Sequence, residues 1–183
     1  NKIHEHLNKC IFDSTVQRPE HVTDYDSFLK ATTLKDRDAL LYGLYHISYE
    51  EIRNYDVTCG SCSKEYPVTV QASSTFNYLP YPDKDILNKK HPIELAATKG
   101  VTCTIKQPTL FEEMTGIKSM VGSIKVSLDL ITETLIIDKF QQTPEEGDTV
   151  IYSERPDIID AYLSLPAKDK RQIHKEYRDK FGQ

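Results

Sequence analysis

The residues best suited to chemistry are Cys59-Gly60-Ser61-Cys62, two thiols separated by two residues. In a tight turn, that spacing lets both thiolates hold one metal ion through a backbone-supported knuckle, and zinc is the metal it would take. A structural zinc site normally wants four ligands, so Cys59 and Cys62 are half of one. The other half must come from Cys10, Cys103, a histidine or residues outside the chain. Cys103 is attractive because it sits three residues past Gly100 on a β-prone run, where a neighbouring hairpin would bring it near the knuckle. The plainer reading makes Cys10 and Cys103 small buried apolar side chains, as free cysteine often is. Cys59 and Cys62 have plain readings too, as unmetallated thiols or as a disulfide. A thioredoxin-like redox pair would open a helix, whose N-terminus lowers a thiol pKa, and here a strand follows instead.

Other reactive residue types do not assemble into a motif. Six histidines are scattered, with His4 and His6 on opposite sides of a helix, His46 late in another and His91 before a proline. None has an HExxH-like spacing, so they read as surface residues, and His174 as part of a solvated face on a charged terminal helix. No GxSxG elbow, Gly-rich phosphate loop or Walker-type lysine occurs, and seven glycines leave little material for one. Glu112-Glu113 and Glu145-Glu146 fall at a helix start and in a turn, where charge serves the helix dipole or solvation rather than acid–base work. No catalytic residue, no organic-cofactor site and no small-molecule substrate are expected.

The elements that must position the thiols are legible from periodicity. Residues 1 to 12 place Ile3, Leu7, Cys10 and Ile11 on one helix face, which points Cys10 inward. Tyr25, Phe28 and Leu29 suggest a short helical turn started by Thr23 or Asp24. The clearest helix runs from Leu34 to Tyr49 with Thr33 as N-cap, and its stripe of Leu34, Leu41, Leu44, Tyr45 and Ile47 reads as the core helix. Residues 52–58 and 66–70 are β-rich runs either side of the CxxC, a hairpin whose turn carries the thiols. Residues 93–97 and 101–106 make a second hairpin through Thr98-Lys99-Gly100. Residues 109–132 fit both periods, and their length favours one helix. A third hairpin is expected from 134–140 and 149–152, around a turn at 144–148. Two helices broken at Leu165-Pro166 close the chain.

These elements predict an α+β fold of hairpins packed with amphipathic helices and ending in a helical pair. One domain over 1–183 is expected, with 52–106 as a β-rich subdomain and 154–183 as a helical tail. Because Asn1 already lies in a helix and Gln183 follows a helix-ending Gly182, the chain reads as a fragment of a longer one. A net charge of −5 disfavours sequence-independent nucleic-acid binding, which needs a basic surface, and points to protein partners. No apolar run approaches the roughly 20 residues that cross a bilayer, and no signal segment opens the chain, so folding in the cytoplasm is expected. Four cysteines, unevenly spaced, do not make a secreted disulfide scaffold.

Three segments taken in order resemble the baseplate hub assembly family of T-even and related contractile-tailed phages. The first is Leu7-Asn8-Lys9-Cys10-Ile11 followed by Leu34-Lys35-Asp36-Arg37-Asp38-Ala39-Leu40-Leu41 and His46-Ile47-Ser48-Tyr49. The second is Tyr55-Asp56-Val57-Thr58-Cys59-Gly60-Ser61-Cys62-Ser63-Lys64-Glu65, similar to that family's cysteine knuckle between two strands. The third is the helix, Leu-Pro, helix arrangement from Ile158 to Asp169, with Ile173 and Lys180-Phe181-Gly182 after it. The resemblance implies a structural or assembly role in a virion tail baseplate. The partners it implies are other hub and tail-tube proteins, bound in multiple copies. That family commonly continues with a second Cys-x-x-Cys, which this sequence lacks and residues beyond Gln183 would have to supply.

Two rival readings carry their own discriminators. A zinc-knuckle adaptor or regulatory module would stay a monomer and bind a host protein through the CxxC loop. An enzyme with a dispersed site, such as a hydrolase, would show a largest pocket that gathers titratable side chains.

Overall fold

The computed structural model describes residues 2–49, 52–71, 89–120, 127–145 and 147–182. The protein is α+β, with two small antiparallel sheets and helices. It divides into two compact units, Asn1–Leu34 with Pro80–Gln183, and Lys35–Leu79. Among the described residues no helix is long and apolar enough to cross a membrane. The β-rich span expected at 52–106 therefore splits: its first hairpin is a separate two-stranded sheet, and its second belongs to the four-stranded sheet of the larger unit.

In the larger unit, β3 (His91–Glu94), β4 (Val101–Ile105), β5 (Ile137–Gln142) and β6 (Val150–Tyr152) form an antiparallel sheet in that spatial order. Register puts Cys103 opposite both Ile93 and Phe140, and Phe140 opposite Tyr152, so one row of side chains crosses the whole sheet. Two helices, α6 (Arg155–Ser164) and α7 (Ala167–Phe181), cover that row with Ile158, Tyr162, Ile173 and Phe181. The helical pair is thus the lid of the core and no tail. The break between them at Leu165-Pro166 follows from proline's missing N–H and locked φ. Gly100 turns β3 into β4 at φ +73°, and a Cβ there would lie 2.8 Å from the Thr143 carbonyl oxygen, so only glycine fits.

Asp169 is fully buried in the first turn of α7. Its carboxylate accepts from the Ala97 N–H at 2.8 Å and the Thr98 hydroxyl at 2.6 Å, tying the helix to the β3–β4 turn. Burial alone pushes this carboxyl up, and the Thr98 hydroxyl with the Ala97 and Thr98 amides more than offsets it, so the group stays ionised.

The other side of the unit holds α1 (Lys2–Ser14), α2 (Tyr25–Ala31), α4 (Leu110–Met120) and α5 (Leu128–Leu135). Of the two starts read from the sequence, Thr23 or Asp24, it is Asp24 that caps α2, in a capping box with Ser27. The buried face of α1 is rotated from the expected one: Asn8 and Ile11 are buried, Ile3 is 77% exposed and Cys10 faces solvent. The Asn8 amide donates to the Met114 thioether at 3.5 Å, and that polar anchor sets the face a hydrophobic count cannot see. The long helix expected over 109–132 is two, since Ser127 accepts from the Leu130 N–H and starts α5 anew. Residues 121–126 lie outside the described ones.

The smaller unit contains β1 (Ile52–Thr58) and β2 (Glu65–Gln71), an antiparallel hairpin, and all but the first residue of α3 (Leu34–Ser48). The expected core helix is not one: α3 buries no residue, and Ile47 is 82% exposed. A two-stranded sheet offers too little surface to bury a helix stripe.

Phe140→Ala should destabilise the larger unit by about 3–5 kcal/mol, while Val57→Ala on the exposed hairpin should change it by less than about 0.5 kcal/mol. Urea unfolding followed by circular dichroism measures both. A Phe140→Ala cost below about 1 kcal/mol would show that the cross-strand row does not organise this core.

Candidate functional site

The CxxC sits at the tip of the β1–β2 hairpin. Thr58 and Glu65 are the last paired residues, and alternation then sets Arg53, Tyr55, Val57, Tyr66, Val68 and Val70 on one face. Beyond that pair the Cys59 N–H donates to the Lys64 carbonyl at 2.8 Å and the Ser63 N–H to the Cys59 carbonyl at 2.9 Å. Ser63 closes the turn at φ +56°, a left-handed conformation that a serine adopts at a cost of about 1–2 kcal/mol.

The backbone of Ser61 and Cys62 in this turn, followed by the Cys62 thiol, holds the Cys59 thiol below its ordinary value against an opposing effect of burial. Cys62 is exposed, with its sulfur 3.7 Å from the Tyr66 hydroxyl. The structure places Cys59 and Cys62 in one turn at the tip of the hairpin. Among the described residues no third His, Cys, Asp or Glu joins them.

Cys103 has the opposite environment. It is fully buried in the sheet core of the larger unit, and burial pushes its thiol up to about 12. That is a packed apolar side chain, the plainer of its two readings.

A dispersed enzymatic site would need a cavity that gathers titratable groups, and the larger unit has one. A cleft of about 600 Å³ is lined by Lys90, Lys106, Glu112, Asp138 and Arg155, among others. Four of these side chains pair with one another. Lys106 pairs with Glu112 and, at 3.4 Å, with Asp138, which also takes Lys90 at 2.9 Å. Burial raises the Asp138 carboxyl, and the bond from Lys90 with the charges of Lys106 and Lys90 pulls it below its ordinary value. Arg155 donates to the carbonyls of Thr134 at 2.8 Å and Ile137 at 2.7 Å, clamping the end of α5 to the start of β5. The Glu112 carboxylate also accepts from the Thr109 N–H, which fits the helix-start role read from the sequence. This network joins β4, α4, β5 and α6.

His174 departs from expectation. It is half-buried, and its Nε2 is 2.8 Å from the Tyr162 hydroxyl, which also donates to Glu133 at 3.3 Å. Burial, then the Glu133 carboxylate, push the Tyr162 phenol up to about 12. Burial holds the His174 imidazole below its ordinary value, with Glu133 opposing and Arg178 assisting. Helical spacing places His174 and Tyr177 on neighbouring faces of α7, and only the packing of α6 decides that position 174 is covered. Comparison of the chain with family models, with characterised proteins and with solved structures finds no match.

Two outcomes follow. Iodoacetamide at neutral pH should alkylate Cys59 at least about 100-fold faster than Cys103 in the native protein, read by peptide mass spectrometry. Comparable rates would mean that Cys103 is not sealed in the core. Because the folded His174 binds its proton at lower pH than the unfolded chain does, its contribution is complete above about pH 6.5 and is lost as pH falls. The melting temperature should therefore drop between about pH 7.5 and 5.5, and His174→Gln should flatten that slope. An unchanged slope in the variant would remove His174 from the acid response.

Proposed function

We propose that the chain is a structural or assembly component of a contractile phage tail baseplate. In this reading it works by binding other hub and tail-tube proteins in multiple copies and turns over no substrate. One observation carries the binding part: the β1–β2 hairpin displays apolar side chains that a soluble surface ordinarily spares. Tyr55 and Val68 are each 40% exposed, Val57 50% and Tyr66 48%, and they are adjacent cross-strand partners on one face. Contiguous exposed apolar residues with tyrosine among them are the composition of an interface centre. The three segments resembling baseplate hub assembly proteins supply the particular assembly.

A zinc-knuckle adaptor is the second reading, favoured by the placing of Cys59 and Cys62 in one tight turn at the hairpin tip. Zinc there would supply structure, holding the turn through Cys59 and Cys62.

Co-expression with the hub and tail-tube proteins of a contractile tail tests the first reading. Co-purification of a complex is expected, and Val57→Ser with Tyr66→Ser should weaken it at least about 30-fold, the scale of two kcal/mol at a hot spot. A chain that stays alone in the presence of every tail protein, or that captures a host protein instead, sinks it.

A further inference from the structure

The cleft of the larger unit combines two kinds of lining. Lys90, just before β3, Lys106, just after β4, and Arg155, the first residue of α6, bring positive charge, while Phe111, Leu135 and Pro156 bring apolar surface. Its volume of about 600 Å³ falls within the range of roughly 300–1,000 Å³ that small-molecule sites occupy. The charges at its wall do not cancel. Lys90 and Lys106 both reach one oxygen of Asp138, at 2.9 and 3.4 Å, so a single carboxylate holds two ammonium groups close together. Glu112 takes Lys106 as well. Arg155 gives two N–H groups to the Thr134 and Ile137 carbonyls, which are neutral, so its charge adds to the excess. Three cations thus stand over two carboxylates. Glu154 also borders the cleft, but it is exposed to water, which screens it.

We infer that this cleft binds a small aromatic carboxylate, an organic monoanion with a flat body, which it holds without converting. The single excess positive charge sets the charge of the ligand, and the mixed lining sets its two-part character. Lys90 is the group free to turn toward it. Its side chain is 60% exposed, and an exposed ion pair contributes little, so exchanging part of its contact with Asp138 for the ligand carboxylate costs little. An anion between Lys90 and Lys106 also relieves the repulsion of two ammonium groups that share one partner. Lys106 is fixed by Glu112 and Asp138, and Arg155 by its two carbonyls, so two of the three cations are preorganised. Phe111, 37% exposed in the first turn of α4, offers its ring in the same cleft, and a flat aromatic body stacks on such a ring. The contributing residues come from the flanks of β3 and β4 and from α4, β5 and α6, a dispersal that leaves no motif in the sequence. Binding here uses no residue of the β1–β2 hairpin, so the inference goes beyond the baseplate reading and stands without it.

The test is calorimetric titration of the purified full chain with 2-naphthoate. One molecule per chain is expected, at a Kd of about 1 mM or tighter, the affinity a ligand of this size gains at an ordinary efficiency per atom. Naphthalene-2-methanol keeps the ring without the charge and acetate keeps the charge without the ring, and each should bind at least about 10-fold more weakly. Lys90→Ala and Phe111→Ser should each weaken 2-naphthoate at least about 10-fold while moving the melting temperature by less than about 2 °C, because both side chains are exposed. Added salt should weaken it too, since the recognition is of charge. Three results would overturn the inference: no saturable binding of 2-naphthoate up to about 10 mM, naphthalene-2-methanol binding as tightly as the carboxylate, or an affinity indifferent to both Lys90→Ala and Phe111→Ser. The hairpin variant Val57→Ser with Tyr66→Ser should bind 2-naphthoate as the original chain does, so failure of the ligand site and failure of the assembly reading are told apart.

Discussion

One face of a four-stranded sheet has to be kept from water, and the larger unit is arranged around that requirement. Ile93, Cys103 and Phe140 stand side by side across β3, β4 and β5, a row that burial alone makes stable. Since the two helices that cover it come after the last strand, their hinge at Leu165-Pro166 must fold α7 back over the sheet. The buried Asp169 carboxylate fixes where α7 begins, and the Arg155 clamp fixes where α6 begins. Polar groups here set register for an apolar contact that has little geometric preference of its own.

Much of this was legible in the sequence, for a physical reason. Strand alternation, proline breaks and capping residues are local, so Asp24, Gly100 and Leu165-Pro166 mark boundaries wherever the rest of the chain goes. The CxxC turn is local in the same sense, and Cys59 and Cys62 share one turn at the hairpin tip. What the sequence hid was decided by partners distant in the chain. Cys10 faces water because Asn8 finds Met114, and His174 is covered because α6 lies across it. An apolar stripe on α3 reads as core until the small size of its unit is known. The Arg155 clamp has no sequence signature, since its acceptors are backbone carbonyls.

The two units place their cysteines in contrary settings. Cys103 is a spacer in a tight core, where its low polarity matters and its reactivity is suppressed. Cys59 sits in a turn whose backbone favours the charged form of its sulfur. A hairpin of two strands with both faces wet is marginal by itself. Its tip is therefore where a bound ligand changes most, because even one additional bond there is a large fraction of what holds the strands together.

The closure of the sheet by its final helix bears on biosynthesis. Phe181, the last residue of α7, is fully buried and its ring lies 5.3 Å from that of His91 on the first strand of the sheet. During translation the apolar row on β3, β4 and β5 is complete once Gln142 has been added, and it stays open to water until the ribosome has delivered residue 181. Over that last stretch of synthesis a nascent chain carries an uncovered sheet face, the kind of exposed apolar surface from which misassembly starts.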